Sequence, residues 1–194
     1  MAITNQATLE AAVASWLHRT DLTTQIPDFI SLAETKLNRI LRIRAMETIT
    51  TGTVSATIAL PTDFLEVKAM TVTTGGTTYA LKYVTPNEVT ATSGIATSYS
   101  LIGDSIYFNP VGSGETYNLL YYKRFPALSL GANWLITNAP DVYLFAALLE
   151  ACPYIRIDPQ TKADWASSLN DSINQLMSAD NGDRYGSTLT VRSA

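Results

Sequence analysis

The chain has 194 residues, a net charge of −4 and only 15% charged residues; this is room for one domain, or one domain with an insertion, that folds without disulfides or metal. The acidic balance argues against a general nucleic-acid binder, which needs a basic face, and no apolar run approaches the 18 residues of a membrane span. A single Cys and a single His exclude a disulfide framework, a CxxC metal site and a His-cluster site.

The 26 Thr and 15 Ser make a neutral, hydroxyl-rich surface. Such a surface repels neighbours weakly and suits a chain that assembles. Charge is uneven: +1 over residues 1–46, −2 over 47–139, −5 over 140–183 and +2 over 184–194. The opening MAITNQATLEAA lacks the basic start and apolar core of a secretory signal, so folding is expected in a cytoplasm.

The spacing of Leu9, Val13, Trp16 and Leu17 predicts a helix over 5–18, capped by Asn5 or Thr4. A second helix has Thr24 as cap and Pro27 in its first turn. Ile26, Phe29, Ile30, Ala33, Leu37, Ile40 and Leu41 share one stripe within about 120°, and the helix is expected to reach Arg44. Asp28, Ser31, Thr35, Asn38, Arg39 and Arg42 fall opposite.

The texture changes at Glu47 to alternating Thr, Val and Ile with turn punctuation. Thr53–Leu60 reads as a strand, and Leu65–Thr73 and Thr77–Val84 flank the hairpin signal Gly75-Gly76. Thr85-Pro86-Asn87-Glu88 is a capping box for one helical turn. Strands at Tyr99–Ile102, Ser105–Phe108 and Thr116–Arg124 follow, and the whole reads as an antiparallel meander.

Residues Phe125–Asn138 read as a linker. A third helix starts near Pro140, with Val142, Phe145, Leu148, Leu149, Cys152 and Ile155 facing one way and Leu144 and Ala151 widening the band. So wide a band implies burial between two neighbours, and Pro153 is expected to end or kink it. A fourth helix after Pro159 carries the stripe Trp165, Ala166, Leu169, Ile173, Leu176 and Met177. The expected fold is α+β: a four-helix bundle formed from 1–46 and 139–181, an inserted antiparallel β domain with linker over 47–138, and an extended C-terminal arm over 182–194.

Candidate chemistry is sparse. His18 at a helix end and Cys152 in an apolar band have simpler structural readings. Glu34 or Glu150 with Asp63 or Asp104 could form a glycosidase pair, although no spacing ties them together. No GxGxxG, phosphate loop, GxSxG or HExxH occurs. Lys36, Arg39, Arg42 and Arg44 are the dense basic group; they read either as a solvated helix face or as ion-pairing to a neighbouring subunit, whose acidic 140–183 segment has the opposite sign. Tyr79, Tyr83, Tyr99, Tyr107, Tyr117, Tyr121 and Tyr122 crowd the β region, for packing, interface or sugar contact.

Several blocks taken in order resemble a known family. They are Trp16-Leu17-His18-Arg19-Thr20-Asp21-Leu22, Ile26-Pro27-Asp28-Phe29-Ile30-Ser31-Leu32-Ala33-Glu34 and Leu37-Asn38-Arg39 through Arg42. Leu60-Pro61-Thr62-Asp63-Phe64-Leu65-Glu66, Ile102-Gly103-Asp104-Ser105-Ile106, Tyr121-Tyr122-Lys123, Pro126-Ala127-Leu128-Ser129, Asn133-Trp134-Leu135 and Ala139–Ala151 continue the series. Together they look like the head-to-tail adaptor (head completion, tail accessory) proteins of short-tailed phages and of relatives with contractile tails. The resemblance implies a helical bundle with an inserted β domain and a non-enzymatic virion protein of the neck, without cofactor. It implies a homo-oligomeric ring, usually of twelve copies, between the portal protein and the tail nozzle or other tail proteins. It implies no membrane and no sequence-specific nucleic acid partner, and arms that reach the portal. Gly182–Ala194 would be that arm, with Tyr185, Leu189, Val191 and Arg192 in contact. A tail-associated peptidoglycan hydrolase and a carbohydrate-binding or fibre-attachment module are the alternative expectations.

Overall fold

The computed structural model describes residues 2–88, 93–111 and 114–185. The chain divides into two compact units, one made of Met1–Ala45 and Phe125–Ala194, the other of Met46–Arg124. The fold is mixed, with several helices and two four-stranded sheets.

In the first unit, α1 spans Gln6–Trp16. Asn5 caps it: its side chain takes the Thr8 N–H at 3.0 Å, and the Thr8 hydroxyl takes the Asn5 N–H in return. His18 follows in the left-handed region at φ 51, exposed. Helix α2 spans Ile26–Ile40, with Ile26, Phe29, Ile30, Ala33 and Leu37 buried. It stops short of the expected Arg44 because Leu41 turns extended and the Arg42 guanidinium bonds the Asn38 and Leu41 carbonyls at 3.1 and 2.6 Å. Basic donors at a helix end satisfy its orphan carbonyls in this way. Ile40, read as part of the stripe, is therefore 51% exposed.

The segment read as a linker belongs to this unit and contains a helix, α3, Trp134–Asn138. Asn133 caps it by accepting the Ile136 N–H at 3.0 Å. Helix α4, Pro140–Ile155, packs against α1, α2, α3 and the last helix. That central position explains its broad band: Val142, Tyr143, Leu144, Ala146, Ala147, Leu148, Ala151 and Cys152 are all buried. Leu149, expected mid-band, is only half-buried. Pro153 does not end α4, which closes two residues later at Ile155, with Arg156 left-handed at φ 52. Helix α5, Pro159–Tyr185, runs through Asp180-Asn181-Gly182, so the first four residues expected in an extended arm have helical backbone. One Gly costs a helix only about 1 kcal/mol, too little to stop one of 27 residues.

The second unit holds β1 (Glu47–Thr53), β2 (Thr57–Ala59), β3 (Phe64–Thr74), β4 (Thr77–Ala80), β5 (Lys82–Tyr83), β6 (Ser98–Ile102), β7 (Ser105–Asn109) and β8 (Thr116–Lys123). They form two sheets, β1-β8-β3-β4 and β2-β7-β6-β5. The expected meander is corrected here. The Gly75-Gly76 and Gly103-Asp104 hairpins form, but β8 inserts between β1 and β3, and β5 pairs β6 in parallel. Gly75 and Gly76 sit at φ 54 and 81, the geometry of a two-residue hairpin turn.

Alternation places Met70, Val72, Tyr117, Leu119 and Tyr121 of one sheet in a buried cluster with Tyr99, Ile106 and Phe108 of the other. Gly52 is needed where the Tyr117 ring crosses β1: a Cβ there would lie 2.7 Å from a ring carbon.

Candidate functional site

Three of the four carboxylates considered for hydrolysis, Glu34, Glu150 and Asp63, hold a partner within the chain. Glu34 Oε1 accepts the Leu128 N–H at 2.7 Å and the Tyr143 hydroxyl at 3.4 Å. One turn later on α2, Asn38 Oδ1 accepts the Phe125 N–H at 2.9 Å. Asn38, read on the face opposite the apolar stripe, thus holds a backbone group of the 125–138 segment, as Glu34 does one turn earlier. Behind Glu34, Asn133 donates to the Tyr143 oxygen at 2.7 Å and to the Pro126 carbonyl at 2.8 Å. No spacing in the sequence marks this Glu34–Tyr143–Asn133 network, because its members meet only on folding.

Burial pushes the Glu34 carboxyl above its ordinary range, outweighing the two hydrogen bonds that lower it. The folded state then holds this proton more tightly than the unfolded state. The associated stability is complete below the ordinary Glu titration near about pH 4.3 and is lost as pH rises through the folded value. Glu34→Gln keeps an oxygen for Leu128 and is expected to flatten that decline. Urea unfolding between pH 4 and 8 (about the range that brackets the shift) checks this; a slope equal to wild type would count against it.

Two of the other carboxylates are similarly engaged. Glu150 pairs with Lys36 at 2.6 Å. Asp63 takes the Tyr121 hydroxyl at 2.9 Å; burial, helped by this bond, pushes that phenol up to about 12. Asp104 is exposed in the β6–β7 turn. The Cys152 thiol is buried, donates to the Leu148 carbonyl at 3.3 Å and is pushed up by desolvation; raised thiols are poor nucleophiles. Among the described residues no group of three or more His, Cys, Asp or Glu could hold a metal.

The basic group is not one patch. Lys36 joins Glu150 of its own chain, so opposite charges attract as the sequence implies, but within one copy. Arg42 closes α2, and the Arg44 N–H bonds the Asp180 carboxylate at 2.7 Å. Arg39 is exposed on the rim of a groove of about 500 Å³ between α2, α4 and α5, with Ile40, Leu149, Pro153, Lys162 and Leu169.

The tyrosines do not form one platform. Tyr99, Tyr117 and Tyr121 are buried, whereas Tyr79 and Tyr83 are exposed. Lys68 pairs with Glu47 at 2.7 Å and lies 5.8 Å from the Tyr122 ring centre. Of the proposed arm contacts, Tyr185 ends α5, while Leu189, Val191 and Arg192 lie outside the described residues. No helix is long and apolar enough to cross a membrane among the described residues.

The family described as SU10 adaptor protein matches residues 4–192, a span that takes in residues of both units. Among curated proteins none matches the chain.

Proposed function

We propose, because the chain belongs to the SU10 adaptor protein family of phage head-to-tail adaptors, that it is a structural virion protein forming a ring that joins the portal to the tail. The observation that carries this reading is the family match over residues 4–192. The engaged carboxylates and the buried thiol favour a structural role over catalysis. In this reading α1, α2, α4 and α5 act as a four-helix bundle and the β unit as its insertion. The ring has about twelve copies, as the resemblance implies, with portal protein above and nozzle or other tail proteins below.

Lys36, Arg39, Arg42 and Arg44 face a neighbouring copy in this reading. Arg39 is the best placed of them, since Lys36 already has Glu150. The C-terminal arm, with Tyr185, Leu189, Val191 and Arg192, contacts the portal.

Light scattering of the chain alone and with purified portal protein tests the assignment. The expected result is a monomer alone and a portal-bound ring in the mixture. Stable rings formed alone at micromolar concentration would remove the portal trigger, and no association with portal would remove the function. Deleting residues 186–194 should leave the melting midpoint unchanged and weaken portal binding at least about tenfold, equivalent to 1.4 kcal/mol; undiminished binding would assign the contact elsewhere.

A further inference from the structure

The sheet β1-β8-β3-β4 is antiparallel throughout, and among the described residues no strand pairs with its two edges. An edge strand offers unpaired N–H and C=O groups to any other chain. Proteins that stay apart blunt such edges with charges, prolines, bulges or short strands. Strand β4 is exposed at all four residues, Thr77, Thr78, Tyr79 and Ala80, without charge or proline. Strand β1, ETITTGT, has one charge, Glu47, at its start. The irregularities of this sheet lie in β3 towards β8, away from both edges. The other sheet is better guarded: β2 has three residues, and β5 has two, one of them Lys82.

The hydrogen-bond phase of each edge follows from its neighbours. Val54 donates to the Glu115 carbonyl at 2.8 Å, which continues the β1–β8 ladder. Bonded residues alternate in an antiparallel pair, so Thr48, Thr50 and Gly52 bond β8, while Ile49, Thr51 and Thr53 turn their backbone groups outward. On the opposite edge Leu81 donates to the Met70 carbonyl at 2.9 Å. Tyr79 and Thr77 therefore bond β3, and Thr78 and Ala80 turn outward. Among the described residues no backbone hydrogen bond reaches these outward groups.

We propose that β4 of one copy pairs with β1 of the next, carrying this sheet from copy to copy. The inference rests on the ring reading and names the contact that closes the ring. With four alternating strands, β1 and β4 run in opposite directions. Neighbours in a ring of many copies differ by a modest rotation, so β4 meets the next β1 antiparallel and no strand is reversed. The contact is heterologous, as ring closure requires. The pleats also agree. Ile49 and Thr51 align with Leu120 and Asn118, these with Ala69 and Thr71, and Thr71 with Ala80. All these side chains share one face. Setting Ala80 opposite Ile49 of the next copy sets Thr78 opposite Thr51 and Tyr79 opposite Thr50. It covers Ile49 and Tyr79, which are 63% and 47% exposed in a single copy, and adds Thr–Thr and aromatic–Thr cross-strand pairs.

The test is disulfide trapping in the full chain. Thr50→Cys with Tyr79→Cys forms a non-bonded cross-strand pair, the closer kind, within disulfide reach, and the native Cys152 is buried. Oxidation at high protein concentration should give a ladder of dimers, trimers and longer species on a non-reducing gel, whereas neither single variant gives a ladder. Thr78→Pro removes an N–H that bonds nothing within one copy. It should abolish the assembled species and leave the melting midpoint unchanged. Ala59→Pro on the outward side of β2 should leave assembly intact. Dimers from Tyr79→Cys alone would mean that β4 pairs with its own copy in a closed dimer, and would overturn the proposal. Wild-type rings without a ladder, or rings that survive Thr78→Pro, would overturn this contact and leave the ring standing. A wild-type chain that forms neither ladder nor ring, alone or with portal protein, would overturn both.

Discussion

Leu148→Ala is expected to lower the stability of the chain by about 2–5 kcal/mol, the usual range for a fully buried leucine. Leu148 is fully buried on α4, the helix that packs against every other helix of its unit. The loss combines the transfer energy of the missing carbons with a cavity that four neighbours cannot close together. Natural domains have only about 5–15 kcal/mol of stability, so the variant should melt far below wild type or fail to fold. Leu149→Ala is the control. Leu149 is half-buried on the groove rim, water reaches the vacated space, and the loss should be less than half as large. Urea or thermal melts of the two variants decide the matter. Equal losses would mean that α4 is rotated from the orientation described.

Asn133→Ala is expected to destabilise by roughly 3 kcal/mol, from the about 1–3 kcal/mol cost of each buried partner left unpaired. The side chain is 6% exposed and holds the Ile136 N–H, the Pro126 carbonyl and the Tyr143 hydroxyl. Its loss removes the cap of α3 and leaves the Ile136 N–H and the Pro126 carbonyl unpaired in a poorly hydrated place, while the Tyr143 hydroxyl keeps only Glu34. Tyr143→Phe deletes a partner instead of stranding several, so it should cost about half as much, and less still in the Asn133→Ala background. A double-mutant cycle by denaturant unfolding measures that coupling. Independent, fully additive losses would show that the network does not act as a unit.

Much of the helical unit could be read from residue order. Asn5 before Leu9 and Val13, Pro27 at the head of a stripe and Pro140 before a wide apolar band are signals that a helix carries within its own few turns. The errors fall at the ends. The apolar stripe does not say that α2 stops at Ile40; the extended Leu41 and the Arg42 side chain folded back on Asn38 and Leu41 end it. Nothing local says that α5 continues past Gly182. Asn133 was visible as part of a family block but not as a cap, since the helix it starts is only five residues long and has no stripe. The candidate acids were found as residue types, yet their roles were not: Glu34 meets Leu128 and Tyr143 across 94 and 109 residues of chain.

Local chemistry therefore determined the kinds of element, the two tight hairpins and the weakly charged surface, because caps, turns and hydrophobic periods act over a few residues. Tertiary structure alone decided the sheet order and the use of charge. Strand β8 lies between β1 and β3, where its alternating Tyr117, Leu119 and Tyr121 are buried, a placement that depends on the faces of other strands and is not contained in any single one. Lys36 finds Glu150 at 114 residues' separation because α2 packs on α4. A charge pattern states which signs attract; only the packing of helices states whether the partner is in the same copy or the next.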